Sequence, residues 1–125
     1  MLKVTALATA LSLAVSSSVL GAETRIERAD PSVICLDEDM TLSVWRSQST
    51  VLSFDYTRTT ASLVVDGRRW LQLPQNIQTS IALSAFCRPA MADTLVVLEV
   101  RNQSGNLLGT VSRGKWHNRL TGQWF

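Results

Sequence analysis

The chain has 125 residues, with 12 lysines and arginines against 10 aspartates and glutamates, a net charge of +2 at neutral pH. That balance lacks the basic excess of a general nucleic-acid binder or of a protein held on an anionic membrane. Two cysteines and one histidine, far apart in the chain, do not give the local spacing of a zinc site, and no phosphate-cradling glycine loop occurs, so neither metal nor cofactor is expected.

The first elements read as an export signal. Lys3 supplies a positive start, residues 4–20 carry no charge, Gly21-Ala22 are small, and charge begins abruptly at "ETRIER". This three-part layout predicts a secretory signal peptide over 1–22, cleaved near Ala22. No cysteine stands at the cleavage point, so a lipid anchor is not expected. The product is a protein of the periplasm, or secreted, without stable membrane insertion. Residues 23–125 then make one domain, since about 100 residues enclose one modest core.

Export sets the expectation for the cysteines. In an oxidising compartment the two thiols of a small domain pair, which predicts a Cys35–Cys87 disulfide. Closing a loop of about 50 residues stabilises by roughly 4 kcal/mol on the chain-entropy estimate. Cys87 follows Ile81, Leu83 and Ala85 at period two, which places it on the same apolar face of a strand.

The mature chain reads as short strands in succession. "TRIER" is a candidate edge strand, and a strand near Ser32 to Leu36 carries Cys35. Asp37, Glu38 and Asp39 follow as an acidic loop. "MTLSVWR" (40–46) alternates Met40, Leu42 and Val44 against Trp45, which predicts an exposed Trp45. "TVLSFDY" (50–56) alternates likewise. "ASLVVDGRRWLQLP" is two β-rich runs about Asp66-Gly67, a favoured tight-turn pair. "TSIALSAFC" (79–87) alternates again, and "PAMAD" is at most one helical turn. "TLVVLEVRNQSGNLLGTVS" is a second hairpin with Asn102 to Asn106 as its loop. Seven or eight short strands with regular turn signals predict an all-β protein, an immunoglobulin-like β-sandwich with one disulfide. A small closed barrel shares the pattern.

Nothing in the sequence assembles a catalytic set, and the expectation is that the protein is not an enzyme. His117 stands alone in "GKWHNRL", no serine has a nucleophile-elbow setting, and the acidic trio is adjacent rather than paired across a cleft. Asn102-Gln103-Ser104 matches a glycosylation sequon but sits where the chain must turn. The terminal "TGQWF" lacks the alternation of an outer-membrane barrel strand. Of the four tryptophans, Trp45, Trp70, Trp116 and Trp124, one is expected in the core and the others at a contact surface.

Leu71-Gln72-Leu73-Pro74 with Asn76, then "IALS", Asp93, the apolar run Val96 to Val100, a polar turn and Trp116, together resemble the small periplasmic curli-assembly proteins. These are immunoglobulin-like domains that keep amyloid fibre subunits from polymerising early. The resemblance implies a non-enzymatic accessory or chaperone whose partner is a protein, an amyloid fibre subunit. Enterobacterial members carry a Cys-x-Cys pair; here Cys35 matches the first position and Asp37 stands at the second, so any redox role of that pair does not carry over. The residues expected to bind the partner form a basic, tryptophan-containing face: Arg68, Arg69, Trp70, Arg101, Arg113 and Lys115, with Arg58 beside them. Two other classes fit the same composition. One is a periplasmic inhibitor or immunity protein that blocks a hydrolase or toxin, and the other is a subunit of a surface appendage. The sequence sets no oligomeric state.

Overall fold

A computed structural model describes residues 31–125; the signal peptide expected over 1–22 and the strand expected in "TRIER" lie outside the described residues. The elements follow in the order α1 (Pro31–Ile34), α2 (Leu36–Ser47), β1 (Val51–Tyr56), β2 (Thr60–Val65), α3 (Gly67–Gln72), α4 (Gln75–Ala92), β3 (Val97–Asn102), β4 (Leu107–Ser112) and β5 (Lys115–Asn118). Five strands form a single mixed sheet in the order β1-β2-β3-β4-β5. β2 and β3 run parallel and the other pairs antiparallel. A parallel pair needs a crossover, and α3 and α4 supply it. The expected all-β sandwich of seven or eight strands is therefore corrected to a mixed sheet with helices packed against it.

Four expected strands are helical, each for a readable reason. Residues 40–46 lie in α2, where Asp37, Glu38 and Asp39 occupy the first turn and Arg46 the last. Those charges complement the helix dipole at both ends. Cys35, Leu42 and Trp45 share the inward face at helical spacing, while Met40 and Val44 are 60% and 51% exposed. The alternation of Met40, Leu42 and Val44 is thus incidental, and Trp45 is half-buried against the core rather than exposed. The short run near Ser32 to Leu36 is likewise helical, with Pro31 opening α1.

Residues 79–87 lie in α4, an 18-residue helix. Its buried residues are Gln78, Ile81, Ala82, Ser84, Ala85, Phe86 and Pro89, and all but Ser84 follow a three-to-four spacing along one face. The fourth correction concerns Asp66-Gly67, which opens a helix over the expected second strand instead of turning a hairpin. Asp66 caps α3, its Oδ1 accepting the Arg69 N–H at 3.0 Å. The hairpin across Asn102 to Asn106 forms as expected, with Asn102 Oδ1 accepting from the N–H groups of Ser104 and Asn106.

The core lies between the helices and one face of the sheet. Ala61, Leu63 and Val65 of β2, Leu98 and Val100 of β3, Val111 of β4 and Trp116 of β5 point into it. Trp70 and Trp116 meet edge to face, ring centroids 6.1 Å apart, and both are fully buried. Trp70 is therefore a core residue and presents no surface to a partner, contrary to expectation. Gly109 faces the Trp116 indole so closely that a Cβ there would overlap Trp116 Cη2 and the His117 carbonyl oxygen. Only glycine leaves the indole its space.

The expected disulfide is present. Cys35 and Cys87 are bonded, with Cα atoms 5.9 Å apart. It does not link two sheets; it ties the start of α2 to the middle of α4. A buried polar network completes the other end of the core. Gln78 Nε2 donates to the Trp70 carbonyl at 2.7 Å, and Asn118 Nδ2 donates to Gln75 Oε1 at 2.8 Å.

Candidate functional site

The residues expected to bind a partner do not form one face. Arg68 and Arg69 are exposed on α3, beside a shallow surface depression of about 450 Å³ lined also by Asp66, Gln72 and Gln103. Arg101 lies near the same end of the sheet, where it donates to the Gly105 carbonyl at 2.8 Å and to Glu99 at 3.1 Å. Arg113 and Lys115 belong to the β4–β5 turn. The register Thr60↔Val97, Val97↔Ser112 and Ser112↔Lys115 puts that turn at the opposite end of the strands, near Arg58 in the β1–β2 turn. A six-residue strand spans about 17 Å, so the basic residues divide into two groups at opposite ends of the sheet.

The two edges of the sheet differ. β5 is covered by the chain terminus: Trp116 N–H donates to the Phe125 carbonyl at 3.1 Å, Phe125 N–H to Trp116 at 2.7 Å, and Asn118 N–H to Gln123 at 2.8 Å. β1 has no such cover among the described residues. Its ladder phase follows from Thr57 N–H, which donates to the Thr60 carbonyl at 2.8 Å. Antiparallel residues alternate between facing the neighbour and facing away. Asp55 and Ser53 therefore bond β2, while the N–H and C=O groups of Phe54 and Tyr56 point outward and find no partner among the described residues. A bulge at Leu52 and Ser53 interrupts the register next to Val51.

This open edge borders a groove. α2 leads into β1 through the turn Ser47 to Thr50, so the two elements run antiparallel and flank a cavity of about 420 Å³. Leu42, Val51 and Phe54 give it an apolar floor. Tyr56, Ser43, Asp39, Arg46 and Arg88 of α4 supply its polar groups. Phe54 and Tyr56 lie side by side, centroids 5.6 Å apart and tilted by 33°. A concave apolar floor with a few converging polar groups is the ordinary form of a binding site. The depression at Arg68 and Arg69 lacks such a floor.

The charges in the groove are unequal in their freedom. Arg88 Nε donates to both carboxylate oxygens of Asp39 at 3.0 Å, and its Nη2 donates to Asp39 Oδ2 at 2.7 Å. The Asp39 hydrogen bonds hold the Arg88 guanidinium above the usual arginine range; burial opposes this in part, and the Asp39 charge and nearby Tyr56 add to it. Asp39 and Arg88 thus neutralise each other at one end. Arg46 at the other end is exposed and has no carboxylate partner among the described residues. The groove carries one unspent positive charge.

Sequence reasoning missed Arg46, Arg88 and Asp39 as site residues because it read 40–46 as a strand, Asp37 to Asp39 as an acidic loop, and left Arg88 just past a strand ending at Cys87. The acidic trio followed by Arg46 was the available signal, since it marks the two ends of a helix. Among the described residues, no three His, Cys, Asp or Glu side chains stand close enough to share a metal ion, and no helix is long and apolar enough to cross a membrane. The chain matches no protein-family model, and neither curated protein sequences nor solved structures give a match.

Proposed function

We propose that the protein is a non-enzymatic binding module that takes an extended, strand-forming segment of another protein along β1. The observation that carries this reading is the open edge of β1 beside an apolar-floored groove, with the opposite edge of the sheet covered. In strand addition, backbone hydrogen bonds give affinity and a pocket for alternate side chains gives specificity. The outward amides of Phe54 and Tyr56 supply the first, and the space over Leu42, Val51 and Phe54 supplies the second.

The disulfide is compatible with an oxidising compartment and with work outside the cytoplasm. An amyloid fibre subunit, the partner implied by the family resemblance, is one kind of strand-forming client. The immunoglobulin-like fold that came with that resemblance does not form, so the reading rests on the edge and groove alone.

The test is amide hydrogen exchange by nuclear magnetic resonance, with a pool of short random peptides as the probe. Phe54 and Tyr56 amides should exchange fast in the free protein and slow down when peptide is added, while Ser53 and Asp55 amides stay slow throughout. Unchanged exchange at Phe54 and Tyr56 under saturating peptide would refute strand addition.

A further inference from the structure

We infer that the groove beside β1 receives the carboxyl-terminal end of its partner chain, with the terminal carboxylate on Arg46. This rests on the strand-addition reading above and adds the direction and the end of the ligand.

The first ground is shape. The turn from Ser47 to Thr50 joins α2 to β1 directly and closes the groove at the Val51 end. It is pinned on both sides: Gln48 N–H donates to Val44 at 3.2 Å, Ser49 N–H to Arg46 at 3.0 Å, and Thr50 N–H to Trp45 at 3.0 Å, while Asp66 N–H donates to the Thr50 carbonyl at 2.9 Å. Ser49 takes a positive φ of 64°, which folds the connection back within four residues. A chain lying between α2 and β1 meets this turn and has no path through it.

The second ground is direction. A strand added antiparallel to β1 has its carboxyl end at the amino end of β1, which is the closed end. A strand added parallel would bring its amino end there. The third ground is charge, which decides between the two. Arg46 lines the closed end with a guanidinium that no carboxylate of the described residues neutralises. At the open end the Arg88 cation is already held by Asp39 through three contacts of 2.7 to 3.0 Å. A terminal carboxylate therefore gains a charge-assisted hydrogen bond at the closed end, whereas a terminal ammonium would meet a like charge. The backbone N–H groups of the turn are spent on α2 carbonyls, so Arg46 alone reads the carboxylate. The side chain of the last ligand residues then lies over Leu42, Val51 and Phe54, where an apolar group fits.

The experiment uses immobilised protein and random short peptides made in three forms: a free carboxyl end, a carboxamide end, and a free end moved outward by an invariant glycine-serine tail. The free form should be retained best, with apolar terminal residues enriched among the captured sequences. The other two forms should bind roughly tenfold more weakly, the size of one charge-assisted hydrogen bond. Arg46→Gln should bring the free form down to the carboxamide level, and Arg68→Gln should leave the ranking intact. Equal capture of all three forms, with Phe54 and Tyr56 amides protected, would overturn this inference and leave strand addition standing. Capture without that protection, or capture of none, would overturn both.

Discussion

Single residues decide how the core closes, and Gly109 is the plainest case. It sits opposite Asn118 in the β4–β5 ladder and directly beneath the Trp116 indole. A methyl group there must displace an aromatic ring that is itself wedged against Trp70, and also a backbone carbonyl that cannot rotate away. Overpacking of this kind costs about 1–3 kcal/mol or more. Gly109→Ala should lower the urea midpoint without changing the slope of the transition; an unchanged midpoint would show that the ring has room. Trp70→Ala tests the same contact from the other side, where removing a fully buried indole should cost about 3–5 kcal/mol. The Asp39–Arg88 pair follows a different rule. Arg88 is raised above the ordinary arginine value, so its stabilisation is complete below that value and fades only as pH climbs past it. Titration in the ordinary pH range leaves Arg88 charged, and substitution is the way to probe the pair.

At the scale of elements, the disulfide holds the helical layer together. It joins the start of α2 to α4, two helices also bridged by the Asp39–Arg88 pair. Replacing Cys35 and Cys87 by serine should cost about 4 kcal/mol, a large share of the 5–15 kcal/mol typical of a small domain. Hydrogen exchange should then rise in α2 before it rises in β2 and β3; loss of protection in all elements together would mean that the disulfide supports the whole fold equally. The same elements show what the sequence made legible. The strands β1 and β2, the β3–β4 hairpin and the cysteine pairing were readable because alternation and turn residues are local signals. The helices were not, for a physical reason. In "TSIALSAFC" the residues Ile81, Leu83 and Ala85 fit period two, while Ile81, Ala82, Ala85 and Phe86 fit period 3.6, and nine residues cannot separate the two. Only the full span from Gln75 to Ala92 reveals the helix. The groove was illegible for the same reason: it exists only because α2 folds back along β1, a contact between neighbours in sequence that appears once residues 36–47 are known to be helical.

At the scale of the whole molecule, the near-neutral charge and its layout bear on how the proposed peptide partner would arrive. The basic side chains that the sequence grouped together stand at opposite ends of a six-residue strand, with Arg68 and Arg69 at one end and Arg113 and Lys115 at the other. That is a separation of about 17 Å, beyond the screening length of roughly 8–10 Å at physiological ionic strength, so the two groups do not act as one field. On the proposed reading, association is governed by the groove, with one free guanidinium at Arg46. Peptide affinity should fall only a few-fold between low and physiological salt, since mutating or screening one exposed charge changes encounter more than complex lifetime. Charge reversal at Arg68 and Arg69 together should leave that affinity and its salt dependence unchanged, and should alter stability by under about 0.5 kcal/mol because both side chains are exposed. Neutralisation by Arg46→Gln alone should weaken binding and flatten the remaining salt dependence. Fluorescence anisotropy of a labelled peptide across a salt series measures all three. A steep salt dependence that disappears on reversing Arg68 and Arg69, while Arg46→Gln is without effect, would move the binding surface from the β1 groove to the α3 end of the sheet.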